Sequence, residues 1–273
     1  MTDWGLKNAV ESGARRRVIA LSQQAAYVIL GIAGLLGLWA LGGWLVASNP
    51  KTAAFAGFAP APALMRLGQM LMDGDAAVAA GPSLYRVGAG LFWAVIIGAP
   101  LGVLVGRSTV FRTATNIPFQ FMRMISPLAW MPVAVLCFPS WDGAIIFLVA
   151  VAAIWPVIFA TANGLRKVDP SWFRTARNLG AGPGRMLTMI VLPAIAQDML
   201  TGIRLALGVA WIVLVPAEYL GVTSGLGYAI NDARDTLEYD RLAATVLIIG
   251  AIGFSLDMVF QRMIHRFSWN KES

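Results

Sequence analysis

Arg204 and Glu218 stand fourteen positions apart in an otherwise apolar run, residues 199–220. Along one helix that spacing is about 21 Å, so the two cannot pair with each other. An ionisable group at such a depth costs at least a few kcal/mol against lipid, so each needs a water-filled path, a partner, or an interface to snorkel to. A second run, 118–138, carries Gln120, Arg123 and Ser126 among Pro118, Pro127 and Pro132. A helix so broken is tolerated only against protein or a water-filled path. Trp130, Trp155 (followed by Pro156) and Trp211 lie in three of the apolar runs. With Arg123, Ser126, Arg204 and Glu218 they are the candidates to line a path through a membrane. Nothing reads as catalysis: there is no HExxH, no nucleophile elbow and no pair of acids on one helix face. Without a GxxxxGK[ST] loop the chain has no P-loop for ATP, and no metal spacing exists. The single histidine, His265, sits four residues before Trp269 and reads as an interfacial side chain, and the single cysteine, Cys137, cannot form an internal disulfide.

These residues need apolar elements to hold them, and the composition supplies such elements. Of 273 residues, 58% are apolar and only 13% charged, against about a quarter charged in a soluble domain. Six apolar runs, 25–46, 86–106, 118–138, 143–162, 199–220 and 242–260, are each about long enough to cross a bilayer of roughly 30 Å. The expected fold is an all-α polytopic membrane protein of about six transmembrane helices. The first run is too long and too late in the chain for a signal-peptide core. Runs three and four, separated only by residues 139–142, form a helical hairpin.

The net charge of +7 could suggest nucleic acid in a soluble protein. Here the basic residues follow the runs instead. Lys7, Arg15, Arg16 and Arg17, then Arg107, Arg112 and Arg123, then Arg166, Lys167, Arg174, Arg177 and Arg185, and finally Arg262, Arg266 and Lys271 fall on one side. Lys51, Arg66, Arg234 and Arg241 fall on the other, and Arg86 and Arg204 remain at a boundary or inside a run. Fifteen against four places both termini and the segment 163–190 in the cytoplasm, and no nucleic-acid partner is expected.

Gly90, Ala94, Gly98, Gly102 and Gly106 recur every fourth residue in the second run, a small-residue ridge that lets another helix approach closely. Pro100 beside it would weaken or kink that helix. In the segment 47–84, Leu64, Leu67, Leu71 and Met72 fit a short interfacial helix. The segment 163–190 is amphipathic and basic, and could be a lipid-surface helix or a docking element.

That segment ends RTARNLGAGPGRMLTMIVLP, residues 174–193. It resembles the EAA loop of ABC-importer permeases: a triplet, three residues, Gly, nine residues, then I-x-L-P. Arg174, Thr175 and Ala176 take the triplet, Gly180 the glycine, and Ile190, Leu192 and Pro193 the close. Arg and Thr replace the family's Glu and Ala. Gly180, Gly182 and Gly184 with Pro183 end one short helix and turn into another. Further segments, SLYRVGAG (83–90), SPLAWMP (126–132), IWPVIFATANG (154–164), TGIRLALGVAW (201–211), AEYLGVTSGLGYAINDAR (217–234) and GFSLDMVFQRMIHRFSW (253–269), resemble the nitrate/sulfonate/taurine/bicarbonate subfamily of these permeases.

The resemblance implies a type I importer permease in a bacterial inner membrane, with 1–24 and 265–273 as cytoplasmic tails and 25–46 as the first transmembrane helix. Residues 47–84 form a periplasmic segment, and 85–264 a core containing the coupling loop 163–190. It further implies two copies around one path, two cytoplasmic ATPase subunits holding ATP and Mg, and a periplasmic or lipid-anchored binding protein that delivers a small anion. Arg174, Thr175, Ala176, Arg177 and Gly180 would couple to the ATPase. The chain itself would bind no cofactor and catalyse nothing. A secondary transporter or channel working without an ATPase is the alternative.

Overall fold

A computed structural model describes residues 3–267, the side chains of 3–22, 24, 25, 265 and 267 excepted. Lys7, Arg15, Arg16, Arg17, His265, Trp269 and Lys271 therefore lie outside the described side chains. The helices are α1 (Asp3–Ser48), α2 (Pro60–Met72), α3 (Asp75–Arg107), α4 (Thr109–Met124), α5 (Met131–Cys137), α6 (Trp141–Lys167), α7 (Pro170–Asn178), α8 (Pro183–Met186), α9 (Leu192–Gly221), α10 (Leu226–Asp235) and α11 (Tyr239–Phe267). Short 3₁₀ turns at Ala53–Phe58 and Pro127–Trp130 and a π turn at Leu187–Val191 complete the order.

Local chemistry sets the ends. The Ser108 N–H closes α3 on the Leu104 carbonyl at 3.0 Å and its hydroxyl opens α4, accepting the Phe111 N–H at 3.2 Å, while the Ser140 hydroxyl accepts the Gly143 N–H ahead of α6. Asp75 and Asp142 occupy first turns, while Arg107, Arg166 and Lys167 occupy last turns, the arrangement the helix dipole favours.

The centre of the bundle is α6, flanked by α3 and α9. Ile145, Leu148, Val149, Val157 and Ala153 of α6 are fully buried. In lipid, such packing rests on close van der Waals approach rather than on escape from water. The ridge of α3 supplies that approach: Gly90, Ala94, Gly98 and Gly102 are buried against α6. A Cβ on Gly102 would come within 2.6 Å of the Thr161 Cβ, and one on Gly98 within 3.2 Å of Ile154. A Cβ on Gly106 would meet Leu165 at 3.0 Å, and one on Gly90 would collide with Val149. Pro82 and Pro100 lie within α3, which continues through both.

The structure corrects several sequence boundaries. The third span is not one helix over 118–138. α4 starts at Thr109, and α4 and the Pro127–Cys137 piece meet at 88°. Pro127 and the extended backbone it favours in the residue before it account for the break: Ile125 and Ser126 have ψ of 126° and 128°. Among the described residues five helices are long and apolar enough to cross a membrane, and six spans result if the bent pair is one. α1 continues through the segment read as an N-terminal tail to Asp3, α3 begins ten residues before the expected 85, and α11 reaches Phe267. α2 turns Ala63, Leu67 and Met70 inward, whereas Leu64, Leu71 and Met72 are exposed, so the apolar face expected of the interfacial helix is only partly the packed one. Met70 joins Ala244 and Ile248 of α11 in one cluster.

Candidate coupling loop, path residues and a buried ion-pair cluster

α7 is a short helix with a defined start and stop. The Asp169 carboxylate accepts the Ser171 N–H at 2.7 Å. The Ser171 N–H and hydroxyl, and then the charge of Arg174, hold that carboxyl below its ordinary value. The cap is therefore charged at neutral pH and is lost only as pH falls through the lowered pKa. At the other end the Ala181 N–H reaches the Ala176 carbonyl at 2.9 Å and the Gly180 N–H reaches Arg177 at 3.0 Å. This is a Schellman closure, and Gly180 occupies its left-handed position with φ +76°. Pro183 then opens α8, which runs through the π turn into α9. Ala176 is buried, while Arg174, Thr175 and Arg177 are exposed. The loop thus presents charge outward from a turn that glycine alone adopts without strain.

The path candidates divide. Arg204 donates two hydrogen bonds to Asp257 of α11, at 2.6 and 2.7 Å, so its charge is met by a carboxylate instead of standing free for an anion. Glu218 is fully buried and does not border open space. Arg123 and Ser126 are exposed and Trp130, Trp155 and Trp211 half-buried. The Arg123 guanidinium lies over the Phe159 ring, 5.3 Å from its centroid, and Phe119, Trp155 and Phe159 form an aromatic row beside it. Trp211 packs between two clusters of the core, and a Cβ on Gly253 would strike its indole.

Glu218 belongs to a cluster that the path reading missed. Arg86 of α3, only 2% exposed, donates from Nη1 to Glu218 Oε1 at 2.6 Å and to the Ser224 carbonyl at 2.9 Å. Its Nε reaches Asp142 Oδ1 at 2.8 Å and its Nη2 the Ser224 hydroxyl at 2.8 Å. Ser83 donates to the Glu218 carboxylate and accepts the Leu226 N–H at 2.8 Å, while the Gly227 N–H fills Glu218 Oε2 at 2.9 Å. Gly225, at φ +108°, leaves room for this carboxylate: a Cβ there would lie 2.5 Å from Oε1. The cluster fastens α3, the first turn of α6, the end of α9 and the turn into α10. Its signal in the sequence was Arg86, a cation within the apolar second run that needed an acid.

Residues 90–269 match the family described as the binding-protein-dependent transport system inner membrane component. The chain belongs to this family. Its relatives include the bicarbonate transport system permease protein CmpB of Synechococcus elongatus, 37% identical over 177 residues, which are 64% of this chain and 63% of CmpB. The taurine transport system permease protein TauC of Escherichia coli is 31% identical over 92% of each chain. The nitrate import permease protein NrtB of Leptolyngbya laminosa is 33% identical over 64% of this chain and 63% of NrtB. The chain thus aligns with somewhat under two thirds of the length of the bicarbonate and nitrate proteins. Among solved structures, a chain of the MetNI methionine ABC transporter in an inward-facing conformation superposes with a TM-score of 0.59. That match covers 68% of this chain and 93% of the other at 17% identity. At that identity the likeness is one of fold, that of a type I ABC importer permease. The family consists of transport components, and the all-helical multi-span architecture agrees with membership.

Proposed function

We propose that this chain is the permease subunit of an ATP-driven importer for a small anion of the nitrate, bicarbonate, cyanate or sulfonate type. The observation that carries the reading is the 174–193 loop. It has the importer spacing in the sequence and the shape of a capped helix, a left-handed glycine and a second helix in the fold. In the proposed assembly two copies form one path, and two ATPase subunits holding ATP and Mg engage α7 from the cytoplasm. A binding protein delivers the anion from the opposite side, and the chain itself holds no nucleotide. The distribution of Lys and Arg supports cytoplasmic termini in a bacterial inner membrane.

One stripe supports α4 as a wall of the path. Thr109, Thr113, Asn116, Gln120 and Arg123 fall on one face of α4, and all five are exposed. Phe111 and Phe119 pack toward α6, where Arg123 at the edge of the stripe also lies over Phe159, and a further side exposes Val110, Ile117, Phe121 and Met124. Lipid suits the apolar side but cannot solvate the polar one. Whereas Arg86 and Arg204 are ion-paired, Arg123 meets no carboxylate among the described residues. In this reading it is the free positive charge on the anion's route.

The test is purification of the tagged full chain from its native membrane, followed by reconstitution. Co-purification of a P-loop ATPase and anion-stimulated ATP hydrolysis in proteoliposomes are expected. Uptake driven by an ion gradient without any ATPase, or stoichiometric ATP binding by the isolated chain, would overturn the assignment.

A further inference from the structure

Where α3, α6, α7 and α8 meet at one end of the bundle they border an open cavity of about 610 Å³. Four arginines line it: Arg107 and Arg166 from the last turns of α3 and α6, and Arg174 and Arg177 from one side of α7. No carboxylate lines it, and none of the four forms an ion pair among the described residues. Beneath the arginines the wall is apolar, with Val103, Leu165, Val168, Phe173 and Val191 packed as one cluster. The other side of α7, with Trp172, Thr175 and Leu179, faces a separate apolar groove, so the cavity is not a general property of that helix.

Asp169, at the start of α7, sets its charge against Arg174, but Arg107, Arg166 and Arg177 have no ion-pair partner among the described residues, and an anion in the cavity would supply the missing counter-charge. Guanidinium suits phosphate best, because its planar donors engage two oxygens at once. The level within the protein narrows the choice. Arg107 and Arg166 end two membrane-spanning helices, which is where lipid headgroups lie, and basic pockets between spans at that level bind anionic headgroups. The apolar wall then distinguishes an amphiphile from a free ion, since it offers a free phosphate nothing but offers an acyl chain a surface.

We propose that this cavity binds the phosphate headgroup of an anionic phospholipid, with the upper acyl chain along Val103 and Leu165. So placed, the headgroup ties α7 to the ends of α3 and α6 through one anion, and the setting of the coupling helix depends on membrane charge. The inference rests on α3 and α6 spanning the membrane, and not on the cargo or the ATPase.

The experiment uses the purified full chain and native mass spectrometry, with phosphatidylglycerol and phosphatidylcholine added in turn. Phosphatidylglycerol is expected to be retained and phosphatidylcholine not. The double substitution Arg107→Gln/Arg166→Gln should lower phosphatidylglycerol retention by roughly tenfold or more, from the loss of two headgroup contacts. Arg112→Gln/Arg262→Gln removes the same charge outside the cavity and should leave retention within about twofold of the parent, because neither arginine lines the cavity. Circular dichroism of both variants separates lost binding from lost fold. Equal loss in the two variants would mean diffuse surface charge and overturn the site. Displacement of the lipid by equimolar inorganic phosphate would mean a soluble-anion site and overturn the lipid assignment. Failure of the chain to recruit an ATPase would leave these results standing, so the two readings fail separately.

Discussion

Glu218 is fully buried, and its negative charge is met by Arg86, Ser83 and the Gly227 N–H. Removing one partner of a buried pair typically costs about 3–5 kcal/mol, because the other is left buried and uncompensated. Glu218→Leu should destabilise the chain by about that amount, softened to the extent that half-exposed Asp142 still holds Arg86. Glu218→Gln should do less harm, since it keeps an acceptor for Gly227. Arg86→Met added to Glu218→Leu should recover part of the loss, as replaced ion pairs often do. Thermal unfolding of the three variants in detergent checks this, and wild-type stability of Glu218→Leu would refute the structural role. That neither Arg204 nor Glu218 could face lipid alone was legible in the sequence, but not that each would meet a partner instead of a water-filled path or an interface. Which partners they found was not legible. Arg86 lies 132 positions from Glu218 and Asp257 lies 53 from Arg204, and such pairings are decided by how whole helices dock.

Gly180 was legible from the loop spacing, and its φ of +76° explains why the loop asks for glycine. No neighbouring atom lies within 4 Å of where a Cβ would sit, so any penalty comes from the backbone and not from collision. Gly180→Ala should cost about 1 kcal/mol locally, and β-branched valine more. The expected result is that Gly180→Val leaves the spans folded but loses ATPase co-purification, while Gly180→Ala keeps most of it. Normal coupling in Gly180→Val would detach the loop's shape from its proposed role.

Among the elements, the α3–α6 pairing shows how far periodicity reaches. A small residue every fourth position foretold a close helix contact, but not which helix or which glycine is tightest. Gly102 faces the Thr161 Cβ and the Ile158 carbonyl, whereas Gly88, one face away, has nothing within 4 Å. Gly102→Ala should therefore destabilise by about 1–3 kcal/mol through overpacking. Gly88→Ala should be neutral or stabilise by up to about 1 kcal/mol, because alanine is the better helix former. Comparing the two unfolding midpoints is the check, and equal effects would remove the ridge from the packing account. The third span shows the opposite case. Three prolines announced a broken helix, yet the break falls at one Ser–Pro step with an 88° turn. The amphipathic length from Thr109 was hidden because polar residues diluted its hydropathy below that of a plain span.

The molecule as a whole carries surface that one copy leaves uncovered. α1 touches the rest chiefly around the Ala53–Phe58 turn and α2, with Trp39 donating to the Phe58 carbonyl at 2.8 Å. Most of its apolar side chains from Tyr27 to Leu45 stay exposed, as lipid permits. The polar stripe of α4 is not permitted the same way, so it must meet water or a second protein. If it lines an anion path, Arg123 supplies positive charge that the paired Arg86 and Arg204 do not. At about 4 Å and an effective dielectric near 20 such a charge attracts a monovalent anion by roughly 4 kcal/mol before desolvation is subtracted. Arg123→Gln should therefore slow anion uptake into proteoliposomes by roughly tenfold or more, with assembly and basal ATP hydrolysis preserved. Arg123→Lys should retain part of the rate, because charge survives while the planar contact with Phe159 does not. A lipid-facing arginine predicts the reverse: glutamine would relieve a burden, stability would rise, and uptake would not change. Uptake and unfolding measured on the same two variants decide which surface Arg123 faces, and unchanged uptake in Arg123→Gln would take α4 out of the path.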